Sequence, residues 1–240
     1  MEVIQLRSLI VVIVATLSCA VPTPEHQAAE DSRGTERRRM VEDQLRARDI
    51  RSPRVLDAMA RVQRHLFVPA RMRPRAYDDH PLPIGHEQTI SQPYIVGFMT
   101  EALEIEPSHR ILEIGTGSGY QAAVLAELAQ VVYTIEIVAP LAERARRTLA
   151  SLGYRNVTVR TGNGYLGWKE HAPFDRIIVT AAPEEIPQAL VGQLKVGGLM
   201  VIPVGRTEQE LRVLRRTGRG IEILKTLPVR FVPMTGNPRS

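Results

Sequence analysis

Apolar positions follow two different periods along this chain. Across 35–49 they recur at helical steps as Met40, Val41, Leu45 and, more weakly, Ala47. Ser52-Pro53 then reads as a helix start, a hydroxyl N-cap with proline in the first turn, and Val55, Leu56, Met59 and Val62 line one face after it. Residues 69–86 hold Pro69, Pro74, Pro81, Pro83 and Gly85, which predicts irregular chain. Gln92-Pro93 opens a further helix towards Leu103, with Ile95, Phe98, Met99 and Ala102 as its apolar face. From Arg110 the pattern changes to short, nearly continuous apolar runs: 110–114, 131–137, 157–160, 175–180 and 199–204. Helical stretches separate most of them, at 120–129, at 140–152 closed by Gly153, and at 184–194 closed by Gly197 and Gly198. Strands apolar on both faces, alternating with helices, predict an α/β fold with a doubly wound, mostly parallel sheet. Residues 211–214 and 221–232, around a turn at 218–220, predict an antiparallel finish.

The first residues stand apart. Residues 9–21 are almost wholly apolar, follow Arg7 and end in Ser18-Cys19-Ala20, the small-x-small pattern of a secretory signal cut after Ala20. A lipidated Cys19 is the alternative, with Thr16 standing where such signals usually carry Leu. The run is short for a stable membrane span. Residues 21–35 are rich in Pro, Glu, Ala and Ser without hydrophobic period and are expected to be a disordered linker. The remainder, 36–240, is expected to be a single domain.

Composition narrows the picture further. The chain has 240 residues, is 44% hydrophobic and carries a net charge of +5, enough for one sizeable core and a mildly basic surface. Thirteen arginines lie between positions 33 and 75. Acidic residues (Glu36, Glu42, Asp43, Asp49, Asp57) are interleaved with them and aromatics suited to stacking are scarce, so solvated helix faces are expected rather than a nucleic-acid surface. Cys19 is the only cysteine, which excludes an intramolecular disulfide. The six histidines show no metal-ligand spacing; His80 and His86 share the loop before Ser91 and are expected to face solvent.

The candidate chemistry sits at RILEIGTGSGY, 110–120. An apolar strand breaks into Gly115, Gly117 and Gly119, and a helix follows at once. Glycines allow the tight turn and let a ligand approach the backbone. The dinucleotide pattern is G-x-G-x-x-G; here it is E-x-G-x-G-x-G, and Glu113 would repel a pyrophosphate but suit a cationic or amino-bearing ligand. A ligand-free tight turn is the plain alternative. Glu136 ends the next apolar run, about twenty residues on, where a carboxylate can accept from both hydroxyls of a ribose. A solvated strand end is its plain alternative.

This arrangement resembles the first motif of the S-adenosylmethionine-dependent methyltransferases, whose fold is Rossmann-like. Further segments make the likeness narrower: MVEDQLRARDI (40–50), RHLFVP (64–69), QTISQPYIVGFMTEAL (88–103), YTIEI (133–137), GYLGWKEHAPFDRIIVTAAPEEIPQAL (164–190), GGLMVIPVG (197–205) and VRFVPMTG (229–236). Together they resemble the protein-L-isoaspartate (D-aspartate) O-methyltransferases over nearly all of residues 36–236. Such enzymes methylate the free α-carboxylate of an isoaspartyl residue in a damaged protein. The ester then closes to a succinimide that reopens partly to normal aspartate.

The resemblance implies S-adenosylmethionine as methyl donor, held by Glu113, Gly115, Thr116, Gly117, Gly119, Glu136, Asn163 and Gly164. It implies isoaspartyl peptides and proteins as partners, a cytoplasmic monomer, and no metal. Export through residues 1–20 is the alternative location. Ser91 takes the family's catalytic serine position and would orient the acceptor carboxylate; as a simple N-cap it would have no such task. Thr89 and Ile90, with neighbouring Gln88, and Thr235 are expected to line the substrate channel, and 179–183 the acceptor pocket. Tyr165 and Trp168 either flank the adenine or pack in the core. One departure stands out: the family's Gly-Asp-Gly reads Gly162-Asn163-Gly164, so the expected acceptor for the adenine amino group is uncharged, and donor affinity about tenfold weaker is expected. A methyltransferase for RNA or a small molecule, and a homologue that no longer catalyses, are the competing readings.

Overall fold

The computed structural model describes residues 33–238. The signal-like segment, and all but the end of the expected linker, lie outside the described residues. The chain is helical from 33 and winds more widely over Met40–Arg46 (the end of α1), where Ala47 N–H reaches back to Glu42 C=O at 2.9 Å. Met40, Val41 and Leu45 are buried, as their spacing predicts. Helix α2, Pro53–Arg61, starts where Ser52-Pro53 said it would, and the Ser52 side chain accepts from Val55 N–H. Helix α3 spans Pro93–Ala102.

One element escapes the hydrophobic pattern. Leu82–Gly85 (β1) and Gln88–Ile90 (β2) form a small antiparallel hairpin, its first strand within the stretch expected to be irregular and its second just after it. Proline at 83 and 81 hid it, yet Leu82 and Ile84 alternate inward. Its turn is made by His86 and Glu87, both exposed and both at positive φ (54° and 58°). This hairpin brings 88–91 to the edge of the main sheet.

The main sheet has seven strands: β3 Arg110–Ile114, β4 Val131–Glu136, β5 Val157–Thr161, β6 Phe174–Val179, β7 Leu194–Val204, β8 Gln209–Thr217 and β9 Gly220–Val229. Their order is β5-β4-β3-β6-β7-β8-β9, parallel from β5 to β7 and antiparallel from β7 to β9. Helices α4 (Tyr120–Ala126), α5 (Ala139–Ser151) and α6 (Gln188–Gln193) belong to the crossovers. Helix α6 is shorter than expected, because Pro183 and Pro187 keep the chain before it out of helical geometry. Buried residues form two layers, one on each face of the sheet, as a doubly wound fold requires.

The arginine-rich N-terminal part is less solvated than its composition suggests. Arg64 is fully buried, and Arg54 donates to Ile105 C=O at 2.5 Å and Leu128 C=O at 2.9 Å. These guanidiniums tie the N-terminal helices to carbonyls at the ends of other elements, so part of the charge is structural. The order β5-β4-β3-β6 reverses direction at β3, and the crevice beyond its C-terminal end is where open α/β sheets bind ligands.

Candidate active site

At the tip of β3 the chain turns through Gly115 and Gly117, both at positive φ (94° and 52°). A Cβ on Gly115 would stand 2.4 Å from Thr180 Oγ1, whose hydroxyl donates to Gly115 C=O at 2.7 Å. The turn is therefore packed directly against the tip of β6. Gly119, the N-cap of α4, serves helix packing instead: a Cβ there would touch Leu149 and Ala145 of α5 at 3.3 and 3.4 Å.

Glu136 fixes the same turn from β4. Its Oε2 accepts from Gly117 N–H at 2.7 Å and its Oε1 from Val138 N–H at 2.9 Å. Each oxygen keeps a second acceptor position. The residue is buried to 5% exposure, yet it lines the cleft above the turn. It is not a solvated strand end.

Glu113 lies deeper. It is wholly buried, pairs across the sheet with Thr134, and accepts a short hydrogen bond from the Thr134 hydroxyl. Thr134 in turn shares a 2.6 Å hydrogen bond with Thr116. Glu113 Oε1 has no partner. Burial pushes the Glu113 carboxyl up to about 8 against the pull of the Thr134 hydrogen bond, and the nearby Glu136 charge adds to the rise. Glu113 and Thr116 thus form a polar chain beneath the cleft rather than its lining.

The cleft itself is lined by Gln88, Thr89, Gly115, Gly117, Glu136, Gly164, Thr180 and Thr235, among others. Gly164 forms its floor: a Cβ there would lie 2.3 Å from Ile114 Cγ2. The cleft encloses about 60 Å³, where ligand sites commonly enclose about 300–1,000 Å³. Met234 and Thr235 from the C-terminal strap narrow it. That strap is docked on the β6 tip by Ala182 N–H to Val232 C=O (2.9 Å) and Met234 N–H to Ala182 C=O (2.8 Å).

A wider groove, about 1,000 Å³, adjoins it and holds Ser91, Gln92, Ile95, Arg206, Arg230 and Phe231. Thr89, Thr180, Val232 and Pro233 line both spaces. Ser91 is not the cap of α3. Gln92 occupies that position, without a side-chain bond to the helix, because Pro93 at the first turn sets the boundary one residue later. The Ser91 backbone is held instead by Arg64, whose Nη2 donates to Ser91 C=O at 2.7 Å and Nε to Ala76 C=O at 2.8 Å. Arg64 also lies 4.9 Å over the Tyr120 ring, and burial pulls its guanidinium down to about 10.

Of the residues read as possible donor contacts, Asn163 also bonds within the protein and Trp168 takes its core alternative. Asn163 Oδ1 accepts from Tyr165 N–H at 3.1 Å, and its Nδ2 donates to Asn237 C=O at 2.6 Å, so the side chain latches the C-terminal strap. Trp168 is in the core, edge-on to Tyr133 at 5.5 Å. Ile90 is buried beneath the hairpin, next to the two spaces. The sequence placed Thr180 only within the acceptor-pocket segment 179–183 and did not mark Arg64. Thr180 was findable as the first residue past a parallel strand; one arginine among thirteen gave no signal.

Comparison with known proteins shows the family of the chain. The family model described as Protein-L-isoaspartate(D-aspartate) O-methyltransferase (PCMT) matches residues 35–239. The protein-L-isoaspartate O-methyltransferase of Gloeobacter violaceus is 61% identical over 82% of this chain and 97% of its own. The chain belongs to the protein-L-isoaspartate (D-aspartate) O-methyltransferase family. The corresponding protein of Synechococcus sp. is 56% identical over 88% of this chain and 90% of its own. A solved protein-L-isoaspartate O-methyltransferase superposes with a TM-score of 0.76 at 26% identity, over 86% of this chain and 66% of that one. The Plasmodium falciparum structure, in complex with S-adenosyl-L-homocysteine, superposes with a TM-score of 0.72 at 26% identity, over 84% and 99%. As a member of this family the chain is an S-adenosylmethionine-dependent methyltransferase of isoaspartyl residues in proteins. Among the described residues no helix is long and apolar enough to cross a membrane.

Proposed function

We propose that the cleft over Gly115 and Gly117 holds the methyl donor, that the adjoining groove holds the isoaspartyl peptide, and that the methyl group crosses where the two meet. The observation that carries this reading is the shared wall: Thr89, Thr180, Val232 and Pro233 face both spaces, with Glu136 on one side and Ser91 on the other.

The residues fit such a donor. Gly117 and Gly164 line the cleft with bare backbone, and Glu136 offers acceptor positions to a ribose. Thr116 and Glu113 support this floor from below, and Gly119 sets the angle of α4. When bound, the donor supplies a methyl group on a positively charged sulfur, which leaves as a neutral thioether. Little acid–base machinery is then required of the protein. The acceptor carboxylate, with a reference pKa near 4, is already ionised and attacks the methyl carbon directly. The new O–C bond takes the carboxylate's electron pair while the C–S pair stays with sulfur. What the chain contributes is alignment and exclusion of water.

Ser91 is the residue we assign to alignment. Among the described residues its hydroxyl makes no hydrogen bond; it can donate to the acceptor carboxylate, while Arg64 fixes the backbone that carries it. Thr89, Ile90 and Thr235 shape the passage. We place the reaction in the cytoplasm, where the donor is made, in a monomer. Residues 1–20 favour export as the second reading, and the N-terminal residue of the purified protein distinguishes the two. The direct test of function is methyl transfer to an isoaspartyl peptide and to its normal aspartyl twin. Methylation of the first alone is expected; equal methylation of both, or of neither, refutes the proposal.

A further inference from the structure

The acceptor groove has a charge that catalysis does not use. Arg206 and Arg230 are its only charged lining residues. Arg206 meets Glu184 at 3.7 Å, with both side chains mostly exposed, a pairing that neutralises little. Among the described residues Arg230 has no carboxylate against it, and it is exposed. Its place is nonetheless fixed. The next residue, Phe231, is clamped on both backbone groups by Gln209, whose Oε1 accepts from Phe231 N–H at 2.6 Å and whose Nε2 donates to Phe231 C=O at 3.2 Å. One residue further, Val232 C=O is bound by Ala182 N–H. A rigid strap therefore presents one cation at the groove wall, with Arg206 also lining it and Ile95, Val229, Phe231 and Pro233 as its apolar lining.

We infer that this groove selects isoaspartyl sites flanked by further acidic residues, with Arg230 as the specificity-determining residue and Arg206 as a weaker second. The inference rests on the groove being the peptide site. An acidic flank gains attraction to the two cations beyond what the isoaspartyl carboxylate receives, and a lysine flank loses it. Exposed pairs of this kind change affinity by about two- to fivefold each and fade with salt.

The test uses the full chain and three sets of isoaspartyl peptides that differ only in flanking Glu, Gln or Lys, scanned from two residues before to three after the site. For each enzyme, kcat/KM is referred to that enzyme's own value for the Gln peptide. For the unmodified protein at low salt, Glu flanks are expected to exceed Lys flanks by about tenfold at the best position, falling towards equality in 0.5 M salt. Arg230→Gln is expected to remove most of the difference and Arg230→Glu to reverse it. Equal values for Glu, Gln and Lys peptides in the unmodified protein, or a preference that survives Arg230→Glu, would overturn the inference while leaving the peptide site intact. Failure to methylate any of the three sets would overturn the functional reading and the inference with it.

Discussion

Replacing Glu113 with Gln should make the protein less sensitive to pH, and the sign follows from the surroundings of the carboxyl. In the folded chain the group is fully buried, receives one hydrogen bond from Thr134 and leaves Oε1 unpartnered, and it titrates near 8 rather than at the ordinary 4.5. The folded state therefore binds the proton more tightly than the unfolded state. Between pH 4.5 and 8 it holds more protons, so stability falls as pH rises through that window and the loss is complete above it. A move from 4.5 to about 8 corresponds to an upper bound of about 5 kcal/mol, and about 3 kcal/mol of that is already lost at pH 7. Glutamine keeps the shape and an acceptor for Thr134 but cannot ionise. Urea unfolding of both proteins from pH 5 to 9 isolates the effect, since other groups cancel in the difference. Glu113→Gln is expected to gain on the parent steadily as pH rises, by more than 1 kcal/mol between pH 6 and 8. Parallel curves would show that the buried carboxyl titrates normally, and would refute the reasoning.

Ser91→Ala should lower kcat by about ten- to a hundredfold while leaving the melting temperature within a degree or so, because the hydroxyl makes no bond among the described residues; unchanged kcat would remove Ser91 from the reaction. Gly115→Ala should cost about 2–3 kcal/mol in a denaturant titration, combining the positive φ of 94° with a Cβ 2.4 Å from Thr180 Oγ1. Asn163→Asp should cost about 1 kcal/mol and speed amide exchange over 235–237, because a carboxylate cannot donate to Asn237 C=O; unchanged exchange would show that the latch carries no weight.

The parallel core was legible because its period is strong. Runs such as Val131–Glu136 are buried on both faces, and only a central strand rewards that pattern. The hairpin at Leu82–Ile90 was not, since four- and three-residue strands with a proline give too few alternations to count. Site residues near chain turns were legible for a similar reason: Gly115 and Gly164 each mark a place where a Cβ has no room, and Gly117 a backbone at positive φ. What sequence could not show was which polar side chains the protein uses for itself. Asn163 reads equally well as a ligand contact or a latch until Asn237 is seen beside it, 74 positions away. Arg64 reads as one more surface cation until Ala76 and Ser91 are found to share it.

The strap at 232–235 has a consequence for traffic. On the proposed assignment it is a partition with one reactant's chamber on each face, and its Val232 and Pro233 belong to both rooms. The two reactants can therefore enter and leave by separate doors, in either order. Any loosening of that dividing wall would expose the reactive alkyl group to water and degrade both rooms together.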